Sequence, residues 1–584
     1  VRTTWAKSLL VSLVTLFFIS LTSTSHARVD NYGNPIPEGS FALTFDSGAM
    51  VFHPSDSWSS LPGKGSGQNS IQLSLPVCEK ELGADCISEV NFIDESGKSV
   101  SGKFDSYLPI TWDGFFAGCD ANGCSPTTPP WKFSPGRAVF KADEDRRIPL
   151  GSKPSVWTFP GLRHPGGDKY LVRAVTQGTM SNQNAPLDKG SVASWAGGSF
   201  NVEISPVIID EDADWSSIDS WAKTYSIPQG GIWNQFNLWC FGGKEKDDLF
   251  CVRRVEDASP RTFEIKARFD LLRDSFSSHG FMVSRIGNAR VSTIRRPNFI
   301  EVAFAGTTTS VPSAVGYLPR DETGYREMIK AQNSSYLESG VTNRPQDEND
   351  LSGLANWIAN ASGKHTDGSE SGAIASWISL EKSVKFSPTR SSSVWFFRSA
   401  GLLSGDFAWL TSCKRDVSVS GVVSSNATVM KPSPPKWNPR DQSLDFKIAS
   451  PHLDESGKVA EGFYNLSVSR EVATCLWGKD AVSARATISV VSQDGKEKIF
   501  TSSYTINDGF LSFQIAGFTY SANTIKIRLG NSSGSGSSSA ANQATTSEKV
   551  KSPTTGKVQT ITCVKGKTIK KVTTKTCPSG FKKR

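Results

Sequence analysis

Ser155-Val-Trp-Thr-Phe159 is followed after seven residues by Gly167-Asp168, and Ser393-Val-Trp-Phe-Phe397 is followed after seven residues by Gly405-Asp406. The two stretches align without a gap over fourteen positions, six of them identical. Side chains alternate across a strand. Val156 and Thr158 therefore share one face and Trp157 and Phe159 the other, with Val394, Phe396, Trp395 and Phe397 dividing the same way. A Gly-Asp turn then leads into a second run, Tyr170–Ala174 or Ala408–Ser412, each expected to be a strand. Weaker echoes flank both copies. Cys78 and Cys86-Ile-Ser-Glu-Val90 match Cys240 and Cys251-Val-Arg-Arg-Val255 in pattern, and Phe200–Ile204 matches Leu444–Ile448. The order is the same in both halves, which implies a duplicated β unit whose second copy is enlarged by insertion. Chance similarity between β-rich stretches is the competing reading.

Outward from the repeat, Gly, Pro, Ser and Asn punctuate short runs rich in Val, Ile, Phe and Thr, the texture of an all-β chain. The exception is about 320–385. There Glu322–Ala331 reads as a helix, and Asp350 is placed to cap a second one carrying Leu351, Leu354, Trp357 and Ile358 on one stripe, with Gly363 ending it. Lys431-Pro-Ser-Pro-Pro-Lys-Trp437 is a stiff connector. After it come six expected strands: Ser443–Ile448, Val459–Ser469, Arg485–Val491, Ile499–Ile506, Phe510–Ile515 and Thr524–Leu529. Asp494-Gly495 and Asp508-Gly509 are hairpin turn signals. Six strands in about a hundred residues suggest a β-sandwich that resembles immunoglobulin-like modules in architecture. Gly530–Pro553 holds almost no large apolar residue and reads as a linker. The expected fold is mainly β and multi-domain. Two related β-rich units cover 28–205 and 206–430, the second with the small helical insertion. The immunoglobulin-like β-sandwich covers 431–530, a disordered linker 531–556, and a basic disulfide hairpin tail 557–584.

The beginning of the chain carries an address. Arg2 and Lys7 precede an apolar run from Ser8 to Leu21, and Ser25 and Ala27 are the small residues of a cleavage site. This is a three-part signal peptide over 1–27. A membrane anchor is the rival, but the run is shorter than the roughly 20 residues needed to span a bilayer. No transmembrane span is expected after cleavage, and the mature protein is expected to be secreted or at the cell surface. The ten cysteines fit that oxidising setting. Neighbouring pairs give the simplest connectivity: Cys78–Cys86, Cys119–Cys124, Cys240–Cys251, Cys413–Cys475 and Cys563–Cys577. Spacing alone does not fix it. Zinc would want tight Cys-x-x-Cys or His partners, which the sequence lacks.

Charge is segregated. Eleven of the 64 Lys and Arg residues follow position 548 and none of the 56 Asp and Glu residues do, leaving 53 basic against 56 acidic in the rest. The net +8 is therefore a property of the tail. Lys565, Lys567, Lys570, Lys571, Lys575, Lys582 and Lys583 make a dense positive stretch suited to polyanions such as wall polymers. Nucleic acid is not expected, because aromatic residues for base stacking are nearly missing there. Cys563-Val-Lys-Gly-Lys-Thr568 and Cys577-Pro-Ser-Gly-Phe-Lys-Lys583 resemble the basic two-Cys ending of assorted secreted actinobacterial proteins of unknown function. That resemblance implies a bacterial exported protein and no particular activity.

No catalytic constellation emerges. The histidines after the signal (His53, His164, His279, His365 and His452) are scattered. Gly530-Asn-Ser-Ser-Gly534 matches a hydrolase elbow in letters but sits in the linker. Asp210-Glu-Asp-Ala-Asp214, with Asp219 nearby, offers oxygen ligands for calcium, but Trp215 and Trp221 stand where the calcium loop needs Gly and Glu. A solvated acidic turn is the simpler reading, and no cofactor or metal is expected. The 16 Trp residues could stack on sugars if exposed. The function expected is a secreted or cell-surface binding or structural protein tethered by its tail to anionic envelope polymers. A carbohydrate-binding protein or glycan-acting hydrolase is the alternative.

Overall fold

The computed structural model describes residues 35–46, 69–79, 85–108, 138–140, 144, 147, 149–180, 193–210, 232–235, 238–242, 249–271, 280–341, 345–361, 364–367, 372–400, 408–413, 419–482, 485–501, 504–507, 509–520, 523–530, 561–565, 568–572 and 582–583. The protein is mainly β. It divides into two compact units, one ending at Asn531 and the other beginning at Ser532.

The first unit is built around a sheet of sixteen strands. Its main path runs from Tyr504–Asn507 through Phe510–Thr519, Glu461–Ser469, Gly421–Ser425, Phe281–Ser284, Phe396–Ser399, Ala193–Asp210, Tyr170–Met180 and Asn69–Ser74 to Gly151–Ser152 and Ala138–Phe140. A five-stranded sheet covers one stretch of it, in the order Gly287–Arg295, Phe299–Thr307, Thr262–Asp270, Cys86–Ile93 and Ser99–Ser101. Thr262–Asp270 alternates strictly, with Phe263, Ile265, Ala267 and Phe269 buried. These residues share a core with Val172, Phe200, Val202 and both repeat tryptophans, Trp157 and Trp395.

A six-stranded sheet covers another stretch of the large one. Leu444, Phe446 and Ile448, Ile488 and Val490, and Ile525 and Ile527 point from it into a core shared with Tyr464, Leu466, Leu511 and Phe513 of the large sheet. The turns follow the sequence: Gly495 (φ +83°) and Gly509 (φ +80°) take the left-handed conformation that hairpin turns ask of glycine. A four-stranded sheet places Ser40–Asp46 between Thr309–Pro319 and Lys364–Asp367, with Ser387–Val394 at its edge. The helices Glu322–Glu338 and Ala373–Leu380 pack on it through Ala331, Ile374, Trp377 and Leu380.

Several expectations are corrected. The boundaries at 205/206 and 430/431 do not separate sheets. The first falls inside the strand Ala193–Asp210. Cys86–Ile93 pairs with Thr262–Asp270, and Ser40–Asp46 pairs with Thr309–Pro319. Gly421–Ser425 lies between Phe281–Ser284 and Glu461–Ser469. Local alternation fixes which face a strand buries, not which partner closes its hydrogen bonds. Ala408–Ser412, read as a strand, is a helix, Ala408–Cys413. Ile499–Ile506 is two strands, Glu497–Thr501 and Tyr504–Asn507.

The helical insertion is present, with different caps. Glu322–Glu338 starts at Asp321, whose carboxylate accepts the Gly324 N–H at 3.1 Å. A Cβ on Gly324 would lie 1.9 Å from the Pro319 carbonyl oxygen, so only glycine lets that turn close. The second helix begins at Leu354, and Asp350 instead accepts the Ser352 N–H within the preceding turn.

Two expected disulfides are formed: Cys78–Cys86, with Cα atoms 5.0 Å apart, and Cys413–Cys475, at 5.6 Å. Cys251 is disulfide-bonded, and Cys240 is its partner in register on the neighbouring strand. No free cysteine occurs among the described residues. Cys119, Cys124 and Cys577, the signal at 1–27 and the linker at 531–556 lie outside the described residues. Among the described residues no helix is long and apolar enough to cross a membrane.

The second unit contains a three-stranded sheet. Ile561–Lys565 is its centre, flanked antiparallel by Thr568–Val572 and Lys582–Lys583.

Candidate functional site

The tail lysines are brought into register by this small sheet. Lys570 pairs with Cys563 on one side and Lys583 pairs with Cys563 on the other. Thr562 faces Lys571, and Val564 faces Lys582. Strands lie about 4.8 Å apart, so Lys570 and Lys583 sit about 10 Å from each other across the central strand. That backbone spacing is close to the screening length of about 8 Å at 0.15 M salt. Lys565 ends the central strand, while Lys567 and Lys575 lie outside the described residues.

The other sequence candidates are dispersed. Asp210 ends the strand Ala193–Asp210 opposite Cys251, and residues 211–221 lie outside the described residues. Among the described residues no group of three or more His, Cys, Asp or Glu side chains is arranged to hold a metal ion. Trp157, Trp377, Trp395 and Trp409 are buried, and Trp357, Trp437 and Trp477 are half-buried. Trp157 donates its indole N–H to Ser155 Oγ at 2.8 Å, and Trp395 donates to the Gly306 carbonyl at 2.9 Å. These seven rings pack in or against the cores; the side chains of the other nine tryptophans lie outside the described residues.

His164 sits on the link between the first repeat strand and its partner. Its Nδ1 accepts the Gly166 N–H at 3.1 Å and its Nε2 lies 2.9 Å from the Lys169 carbonyl. One nitrogen accepting and the other facing an acceptor fits the neutral ring with hydrogen on Nε2. Burial depresses its pKa below the usual histidine value. The ring stands edge-on to Tyr170 and has no nucleophile beside it in a hydrogen-bonding position.

Two open concavities in the first unit were not legible in the sequence. One, of about 590 Å³, is lined by Asn426, Asp454, Glu455, Glu461 and Tyr520. Asp454 is occupied locally, accepting from the Ser456 and Lys458 N–H groups at 2.9 Å each. The other, a groove of about 800 Å³, lies where the helical insertion meets the outer face of the six-stranded sheet. Lys431, Lys436, Lys447 and Lys526 line it together with Glu338 and Asp445. Lys436 pairs with Asp445 in register, and Asp445 pairs with Lys526 on the next strand. The alternation of Leu444 and Phe446 with Asp445 and Lys447 was the available signal, since it sends the charged pair outward.

No protein-family model matches the chain, and no curated protein sequence matches it.

Proposed function

We propose that this chain is a secreted or cell-surface binding and structural protein whose basic tail tethers it to anionic polymers of a bacterial envelope. One observation carries the reading: the strands at 561–583 set lysines on both sides of Cys563 in a stretch that has eleven basic residues and no acidic one after position 548. A β-rich body fastened by disulfides suits an oxidising exterior. In this reading the six-stranded sheet and its partner strands form an immunoglobulin-like module, and the large body displays surface while the tail supplies retention.

The test is co-sedimentation of full-length protein with purified cell walls over a salt series. Changing the seven tail lysines to glutamine should lower retention at about 0.15 M salt by at least tenfold and flatten the salt dependence. Undiminished retention of that variant would sink the tether. The alternative of a glycan-binding or glycan-cleaving protein is supported by the Asn426–Glu461 concavity, where carboxylates and a tyrosine line an open hollow.

A further inference from the structure

The groove between the helical insertion and the six-stranded sheet reverses the sign of the body around it. Outside the tail, acidic residues outnumber basic ones. The groove lining carries four lysines and two carboxylates. Both carboxylates are used internally. Glu338 accepts the Ala375 N–H at 3.0 Å, at the start of the helix Ala373–Leu380. Asp445 accepts from Ser443 Oγ at 2.5 Å and lies 3.7 Å from Lys526 Nζ, which is itself 2.9 Å from Asp441, so Lys526 is compensated within the body. Lys436 and Lys447 are exposed. Lys436, Asp445 and Lys526 form one rung across three strands, and Lys447 lies two residues further along the middle strand. The positive charges are thus spread along the floor, spaced for a chain of charges and not for one compact anion.

We infer that this groove binds a linear polyol-phosphate polymer, with Lys436 and Lys447 contacting successive phosphates. The inference rests on the reading that the protein meets anionic envelope polymers, but it places a second contact in the body, independent of the tail. Ammonium groups act as point charges and suit isolated phosphodiesters. Phe446, the aromatic ring among the lining residues, is turned into the core, so the groove has no stacking surface for nucleobases. Exposed Leu337 at the rim gives apolar contact for a polyol backbone.

The experiment uses full-length protein and poly(glycerol phosphate) as the probe at about 50 mM salt. The variant with glutamine at the seven tail lysines should keep measurable affinity. Adding Lys436→Glu and Lys447→Glu should lower that affinity at least tenfold and reduce the salt slope by roughly two. Lys436→Glu faces Asp445 across the sheet and should lower the unfolding midpoint somewhat, so the charge-neutral Lys436→Gln, Lys447→Gln pair serves as the second variant and should still give a smaller loss of affinity. Unchanged affinity on adding either pair would overturn the groove, as would equal binding of a single-stranded oligonucleotide of matched charge. An effect of the tail substitutions alone bears on the tether and leaves the groove standing.

Discussion

The two copies of the Ser-Val-Trp stretch share a sequence but not a setting: Ser155–Thr158 is one strand of the sixteen-stranded sheet, whereas Ser393 and Val394 end a strand of the four-stranded sheet. After Trp157 the chain turns at Gly167 and returns as Tyr170–Met180, pairing Trp157 with Tyr170 in register. After Trp395 it continues as Phe396–Ser399 in the sixteen-stranded sheet, and the segment matching Tyr170–Ala174 is the helix Ala408–Cys413. The sequences explain part of this. Tyr170-Leu-Val-Arg-Ala-Val-Thr is rich in residues that suit a pleated surface, whereas Ala408-Trp-Leu-Thr-Ser-Cys413 starts with a strong helix former. The rest is tertiary: Cys413 is bonded to Cys475 on the helix Arg470–Trp477, and Trp409 donates to the Pro435 carbonyl at 3.0 Å. A repeat can therefore preserve its aromatic anchor and lose its continuation. Both anchors lie in one core, where Phe263 is 5.6 Å from Phe159 and 6.5 Å from Trp395 between ring centroids.

If the anchors are equivalent in that core, Trp157→Ala and Trp395→Ala should each destabilise the body by about 3–5 kcal/mol, measured by urea unfolding. A cost below about 1 kcal/mol for either one would break the equivalence.

The hydroxyls should differ. Ser155 Oγ accepts from the Trp157 indole and donates to the Val172 carbonyl at 3.1 Å. Ser155→Ala strands a buried indole N–H and should cost about 1–3 kcal/mol. Ser393→Ala should cost much less, because the Trp395 indole is satisfied by Gly306. Equal costs in paired unfolding curves would show that the contrast in hydrogen bonding has no energetic weight.

The smallest effect concerns pH. Position 164 is His where the aligned position of the second copy is Leu402. Burial lowers the His164 pKa in the folded protein, so as pH falls below the usual value of 6.5 the unfolded chain takes up a proton that the folded one resists. Stability should therefore decline below about pH 6.5 and level off once the folded ring is protonated as well. His164→Leu should remove that part of the decline, read as the difference between unfolding midpoints at pH 7.5 and pH 5. A decline of the same size in the variant would assign it to other groups.

Much of the strand pattern is legible in the sequence. Arg485–Val491 has the bounds the sequence implies, and Ser443–Ala449 and Asn523–Gly530 differ from expectation by a residue or two, because alternating apolar residues and the Asp-Gly turns are local signals. The helix Arg470–Trp477 is not among the expected elements, although Ser469 caps it, accepting the Val472 N–H at 3.2 Å. At eight residues it is too short for a helical period to stand out in the sequence. Partnership between strands was invisible, since Cys86–Ile93 gives no local hint that its neighbour begins at Thr262. The groove was hidden for the same reason: Leu337, Lys436, Lys447 and Lys526 are adjacent only once the sheets have formed.

The placement of Ser40–Asp46 has a consequence for how the protein is made. Phe45 must wait for Ala314 and Thr366 before either edge of its strand is paired. At roughly 5–20 residues per second of synthesis, that delay is on the order of tens of seconds. During it, Phe41, Leu43 and Phe45 form an apolar segment with open hydrogen-bonding edges, the kind of strand that self-associates. Until residue 366 has been made, the first described strand of the protein is therefore an aggregation-prone edge, and more than half of the polypeptide must emerge before it is covered.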